Sequence, residues 1–248
     1  MGFVEVENFV YGKPLIILSE CFFGYCEGMF LPLFALYENG QIIYRKDTKN
    51  KKVDYFEVFL NNDEKNRFID SLPFKNIYNI NEKTIVASEG WTDQPMSILE
   101  LNIIGYKKVR TDGMKKEYIP NDYLLIYDEL SKYSNEKSHK WYPDHICVMF
   151  NKAFSDEISK EWPKTLPEIN INAKKDDRGN IPLILKNKYL KEYFEFYNSL
   201  TPFQNIMYNN KLYSIHHEME YPNIKYGESM CEEEMFNDNN PKFKLEVQ

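Results

Sequence analysis

The sequence predicts an α+β fold: antiparallel sheets built from strand-strand-helix blocks, with three main helices. Three observations carry this. Short apolar runs are joined by hairpin signals, at Asn39-Gly40 and again at Asn209-Asn210. Amphipathic helical stripes follow strand pairs instead of alternating with single strands. No GxGxxG loop marks the start of a parallel βαβ unit. At 248 residues, 43% hydrophobic and 28% charged, the chain is of globular composition. It is long enough to bury a core without metals or disulfides.

The elements follow in order. Leu31 to Tyr37 reads as a strand, and Gln41 to Arg45 returns across Asn39-Gly40, where a type I′ turn needs positive φ at both central residues. Lys46 to Lys52 is an exposed lysine-rich loop, and Val53 to Leu60 is a third strand. Asn61 or Asn62 caps the next helix, with Asp63 and Glu64 in its first turn and Phe68, Ile69 and Leu72 facing a core. Ser97 to Ile104 alternates, with Leu99, Leu101 and Ile103 on one face. Gly105-Tyr106 then turns the chain into a partner strand ending near Thr111. Asn121-Asp122 caps a helix carrying Tyr123, Leu124, Tyr127 and Leu130. Ile146 to Phe150 is apolar on both faces and therefore central.

The last block opens with the strand Ile181 to Leu185. A helix from Lys186 to Leu200 follows, whose stripe is Tyr189, Leu190, Tyr193, Phe194, Tyr197 and Leu200. The closing hairpin turns at Asn209-Asn210 and runs from Lys211 to Tyr221. The organisation expected is a main α+β domain over 1–175, a strand-helix-hairpin block over 176–222 packed on the same core, and an acidic C-terminal tail over 223–248.

No stretch reaches the roughly 18 apolar residues of a transmembrane helix. The N-terminus has early acids and no basic segment, so the chain reads as cytoplasmic, or as periplasmic or envelope-located if a signal has been removed. There are 27 Lys but only four Arg: Arg45, Arg67, Arg110 and Arg178. Bidentate recognition of phosphate or guanine wants guanidinium. With a net charge of −7, no nucleic-acid partner is expected. Cys21, Cys26, Cys147 and Cys231 lack zinc-site spacing and are expected as reduced, structural thiols; no metal and no cofactor is expected.

Gly24-Tyr-Cys-Glu-Gly28 matches a cysteine form of the nucleophile elbow, with Cys26 at its centre. Pro32, however, stands where the elbow's helix should continue. His216 and His217 are neighbours in a strand, so their side chains point to opposite faces and cannot share one ion. Asp144 and His145 suggest a general-base pair, with no nucleophile at a matching elbow to complete it. Trp91 and Trp141 sit in loops, where aromatics either anchor an interface or cap a core. The acidic run Glu232, Glu233 and Glu234, with Glu218 and Glu220 before it, offers carboxylates to a basic partner.

Several of these pieces together resemble a broad group of uncharacterised bacterial proteins, many with lipoprotein or secretory signals. The resemblance rests on Leu36-Tyr-Glu-Asn-Gly-Gln-Ile-Ile43 and on Thr92-Asp-Gln-Pro95 with the strand after it. It continues through the helix Asn121 to Leu130, the steps Trp141-Tyr-Pro143 and Trp162-Pro163, and the hairpin Asn209 to Pro222. It implies no activity and no catalytic residues. The expected function is a non-catalytic bacterial binding protein, such as an immunity protein that occludes a basic toxin domain. The alternatives are a hydrolase using Cys26 or Asp144–His145, and a small-ligand or glycan-binding module lined by Trp and Tyr.

Overall fold

The computed structural model of the chain describes residues 12–21, 31–47, 53–81, 83–87, 95–153, 159–176, 179–201, 204–219, 221, 222 and 224. The class is α+β, with sheets that are mostly antiparallel. The chain divides into two compact units, Met1–Trp141 with Tyr221–Lys225, and Tyr142–Glu220 with Tyr226–Gln248. The division therefore falls after Trp141, ahead of the position near 175 that the sequence suggested.

The first unit holds β1 (Pro14–Cys21), β2 (Leu31–Tyr37), β3 (Gln41–Asp47), β4 (Val53–Phe59), β5 (Thr84–Val86), β6 (Met96–Asn102), β7 (Tyr106–Asp112) and β8 (His139–Lys140). They form one sheet in the order β5-β7-β6-β1-β2-β3-β4-β8. Only the β5–β7 pair is parallel. Helices α1 (Asn62–Asp70), α2 (Phe74–Ile77) and α3 (Asn121–Ser131) belong to the same unit.

The Asn39-Gly40 turn forms with a different geometry from the one expected. Only Gly40 takes positive φ, at 86°, and its N–H donates to the Tyr37 carbonyl at 3.0 Å. This is a three-residue loop: a type I turn closed by a left-handed bulge residue. A Cβ on Gly40 would collide with the Leu60 carbonyl oxygen, so glycine is required there twice over. The two-residue turn with paired positive φ occurs instead at Asn209 (48°) and Asn210 (58°).

Asn61 caps α1 through a complete capping box: its Oδ1 accepts from the Glu64 N–H at 2.9 Å, and Glu64 Oε2 accepts from the Asn61 N–H at 2.9 Å. Helix α3 departs from expectation, because Pro120 occupies its N-cap and Asn121 is already helical, without a side-chain cap. Its Tyr123, Ile126 and Leu130 pack on Ile16, Leu18, Phe34, Leu36, Leu99, Leu101 and Val109 of the sheet, and the partly buried Phe68 and Ile69 of α1, with Leu72 just after it, join this core. Within it, the Ser97 hydroxyl meets Thr111 Oγ1 and the Tyr123 hydroxyl, each at 2.8 Å. Burial pushes the Tyr123 hydroxyl up to about 12, so it stays protonated in this network. On the alternate face of β2 and β3, Ala35, Tyr37 and Ile43 are also buried. The returning segment contributes here. Tyr221 packs on Trp141 and Tyr55 and donates to the Pro32 carbonyl at 3.3 Å, while Tyr37 donates to the Pro222 carbonyl at 2.9 Å.

The second unit contains β9 (His145–Lys152), β10 (Ser159–Glu161), β11 (Ile181–Lys186), α4 (Asn187–Asn198), β12 (Asn205–Tyr208) and β13 (Lys211–Met219). The strands form a sheet in the order β10-β12-β13-β9-β11, which makes β9 internal, as its doubly apolar faces imply. Helix α4 buries Leu190, Tyr193 and Phe196. The sequence stripe named Phe194 and Leu200 in place of Phe196; both are only half-buried. The reason is Trp162. Its indole N–H donates to the Pro167 carbonyl at 3.0 Å, and its ring meets Phe150, Tyr193 and Phe196, drawing the helix face one residue round. Cys147 is disulfide-bonded, which corrects the expectation of reduced thiols throughout; its partner's side chain lies outside the described residues. No helix among the described residues is long and apolar enough to cross a membrane.

Candidate functional site

The sequence candidates divide sharply. Trp91, Glu220, Glu232, Glu233, Glu234 and the elbow around Cys26 lie outside the described residues. Glu218 occupies a β13 position paired with Cys147 of β9. Trp141 is 4% exposed, with its ring edge-on to Tyr55 and tilted against Tyr221, so within the first unit it packs in the core. Asp144 is exposed, and its backbone carbonyl accepts the Asn187 N–H at 2.7 Å. No hydrogen bond joins its carboxylate to His145, so the pair is not assembled as a base and its orienter.

The two strand histidines separate as the period of two requires. His216 Nδ1 lies 3.1 Å from the Asn151 side-chain amide. His217 Nδ1 lies 3.2 Å from the Tyr193 hydroxyl, with its ring edge-on to Tyr193, Phe194 and Tyr197. Burial against α4, reinforced by His216 beside it, pulls His217 down to about 4, so it is a neutral, partly buried group at physiological pH. A third histidine pairs elsewhere: His139 Nε2 sits 3.0 Å from Glu57 Oε1, and the Gln41 side-chain amide donates to the other Glu57 oxygen at 2.8 Å. Among the described residues, no group of three or more His, Cys, Asp or Glu stands ready to hold a metal.

Two surface features of the first unit come forward instead. One is the tip of the β6–β7 hairpin. Ile104 and Tyr106 are 66% and 67% exposed, on either side of Gly105, whose φ is 142°. The Tyr106 hydroxyl donates to Glu100 Oε2 at 2.9 Å, and Lys108 Nζ lies 3.2 Å from Glu100 Oε1. Partial burial, then the Glu100 charge, pushes the Tyr106 hydroxyl up to about 12. The tip thus holds an apolar pair on a narrow turn, with the aromatic ring fixed at its polar end. Tyr78 braces it from below, donating to the Gly105 carbonyl at 2.8 Å.

The other feature is a cleft of ≈ 560 Å³ between one end of β1–β3 and the last turn of α3. It is lined by Glu20, Leu33, Arg45, Lys46, Tyr127, Ser131, Lys132, Tyr133 and Ser134. The Tyr127 hydroxyl donates to Glu20 Oε1, and Arg45 Nη2 stands 3.9 Å from Glu20 Oε2. Burial, with Glu20 as acceptor, pushes the Tyr127 hydroxyl well above its ordinary range.

Comparison with family models, with curated proteins and with solved structures finds no match for this chain. Sequence reasoning missed both features for the same reason. It ranked residues by type, looking for His, Cys, Trp and acidic runs. The hairpin tip is built from ordinary residues made conspicuous by exposure, and the cleft joins residues more than a hundred positions apart. A signal was present for the tip: an apolar pair flanking the glycine of a two-strand turn has no core to enter.

Proposed function

We propose that the protein is a non-catalytic binding protein of the immunity type, which engages and occludes a basic protein partner such as a toxin domain. The observation that carries this reading is the β6–β7 tip. Large apolar side chains left two-thirds exposed beside each other on a braced turn have the form of an interface anchor awaiting its pocket. The lysines of this hairpin are already engaged: Lys108 with Glu100, and Lys107 Nζ with the Ile80 carbonyl. The net charge of −7 favours encounter with a cationic partner over the range set by ionic strength. The Cys147 disulfide supports an oxidising compartment, in line with the envelope signals of the group that the sequence resembles.

The test is affinity capture from the native host with the full chain, side by side with an Ile104→Asp/Tyr106→Ser variant that melts at the same temperature. The expected result is one basic protein retained by the wild type and lost by the variant. Equal retention by both would take the tip out of the interface, and a captured protein of acidic character would refute the electrostatic part.

A further inference from the structure

We propose that the cleft between β1–β3 and the last turn of α3 binds a small molecule through an oxyanion head group, a carboxylate or a phosphate. The volume, ≈ 560 Å³, is of the size that holds small ligands. Its charge is the opposite of the molecule's. Arg45, Lys46 and Lys132 line it against the single carboxylate of Glu20, in a chain whose net charge is −7. Arg45 is one of only four arginines in the sequence.

Glu20 offsets one of the three cationic charges and leaves the lining positive. Its side chain is 9% exposed and already receives the Tyr127 hydroxyl, so it serves as the anchor that holds Arg45, 14% exposed, against the cleft floor. Lys46 is exposed at the rim and makes no ion pair with any described acid. Lys132 reaches Asp128 on its own helix at 3.1 Å, but from a side chain that is largely in solvent and free to swing. The negative end of α3 is muted too: the Lys132 N–H closes on the Asp128 and Leu130 carbonyls, and the Tyr133 N–H on Leu130. Hydroxyl donors complete the lining. Ser134 and Tyr133 follow Lys132, Ser131 gives its hydroxyl at long range (3.4 Å) to the Asp128 carbonyl, and Tyr133, raised by burial above its ordinary value, keeps its proton at every physiological pH. Guanidinium, ammonium and hydroxyl donors around one space are the set that recognises carboxylate or phosphate oxygens. This site is separate from the β6–β7 tip and stands whether or not a protein partner docks there.

The experiment is calorimetric titration of the full chain with citrate in one arm and inorganic phosphate in the other, at matched ionic strength. The variant is Lys46→Gln/Lys132→Gln, both at exposed positions, with its fold checked by an unchanged melting temperature. Ile104→Asp serves as the remote control. Saturable binding of either anion is expected, weakened about tenfold or more in the double variant and unchanged in the control. The stronger arm assigns the head group. No saturable binding in either arm, or binding that the double variant leaves untouched, would overturn the proposal.

Discussion

Acidification should unfold this protein from the second unit, through His217. The ring lies on β13 with its edges toward Tyr193, Phe194 and Tyr197 of α4, at centroid distances of 5.6, 5.3 and 4.7 Å. Among the described residues, no carboxylate hydrogen-bonds to it; the Tyr193 hydroxyl lies 3.2 Å from its Nδ1, and His216 beside it disfavours a charge there. Folded, it titrates at about 4; in the unfolded chain it returns to its ordinary value of 6.5. The unfolded state therefore binds the extra proton between these limits. The contribution of a neutral His217 is complete above pH 6.5 and is lost as the pH falls toward 4. At about 1.4 kcal/mol per pH unit, the full loss is about 3 kcal/mol, of which about 2 kcal/mol is gone by pH 5. That is a large share of the 5–15 kcal/mol that holds a typical domain together.

The assay is urea unfolding of the wild type and of His217→Phe at pH 7 and pH 5. Phenylalanine keeps the aromatic packing and removes the titration. It leaves the Tyr193 hydroxyl unpaired, at a cost of about 1–3 kcal/mol that does not change with pH over this range. The wild type should lose about 2 kcal/mol more than the variant between the two pH values. Carboxylates elsewhere titrate in both proteins and cancel in the difference. Equal losses would show that His217 is solvated or charged in the fold, and the argument from its aromatic surroundings would fail.

The remaining perturbations read the fold itself. Gly40→Ala should destabilise by more than about 1 kcal/mol, because alanine resists the left-handed φ and its Cβ meets the Leu60 carbonyl; an unchanged melting midpoint would contradict the close approach. Asn61→Ala should cost about 0.5–2 kcal/mol by opening the capping box, measured by chemical denaturation, with Asn61→Asp close to neutral. Leu190→Ala should cost about 2–5 kcal/mol, whereas Phe194→Ala, which the sequence stripe placed in the core, should cost less because that ring is half-buried against Tyr142 and His217. A reversal of that order in paired melts would return Phe194 to the core.

The parts of the fold that were legible in the sequence are those where one local rule dominates. Asn61-Asn62-Asp63-Glu64 spells a helix start, and the residues form it. Leu99 and Leu101, on either side of Glu100, are buried as alternation demands, although Met96, Ser97 and Ile98 are buried in succession and the strand is wet only from Glu100 on. Where two rules compete, the reading slipped. Asn-Gly favours a two-residue turn, but at Asn39-Gly40 the Leu60 backbone crowding Gly40 accompanies a three-residue loop. In α4 the helical period alone cannot choose between Phe194 and Phe196, because Trp162 decides it from a distant loop. Short pieces such as α2, β5, β8 and β10 carry too few residues to show any period. The candidate sites were less legible still. Exposure at Ile104 and Tyr106, and the meeting of Glu20, Arg45 and Tyr127, are properties of tertiary contact that no residue type announces.

The chain path carries one more consequence. Tyr221 follows residues 142–220 of the second unit in sequence yet belongs to the first, where it is 1% exposed between Tyr55 and Trp141 with ring centroids 6.0 and 5.2 Å away. Its hydroxyl reaches the Pro32 carbonyl, and the adjacent Pro222 carbonyl accepts from Tyr37, which is itself fully buried. Truncating a ring so enclosed should cost about 3–5 kcal/mol, and that cost should fall on the first unit although residues 142–220 of the second are encoded before it. Tyr221→Ala should therefore lower the temperature at which Trp141 fluorescence changes. Tyr221→Phe, which keeps the packing and removes the hydrogen bond to the Pro32 carbonyl, should lose about 1–3 kcal/mol. A residue near the end of the described chain would then govern the stability of its beginning, and a chain cut after residue 220 should show the same early loss of Trp141 packing as the alanine variant. If Trp141 reports no change in either, the returning segment does not hold the first unit closed.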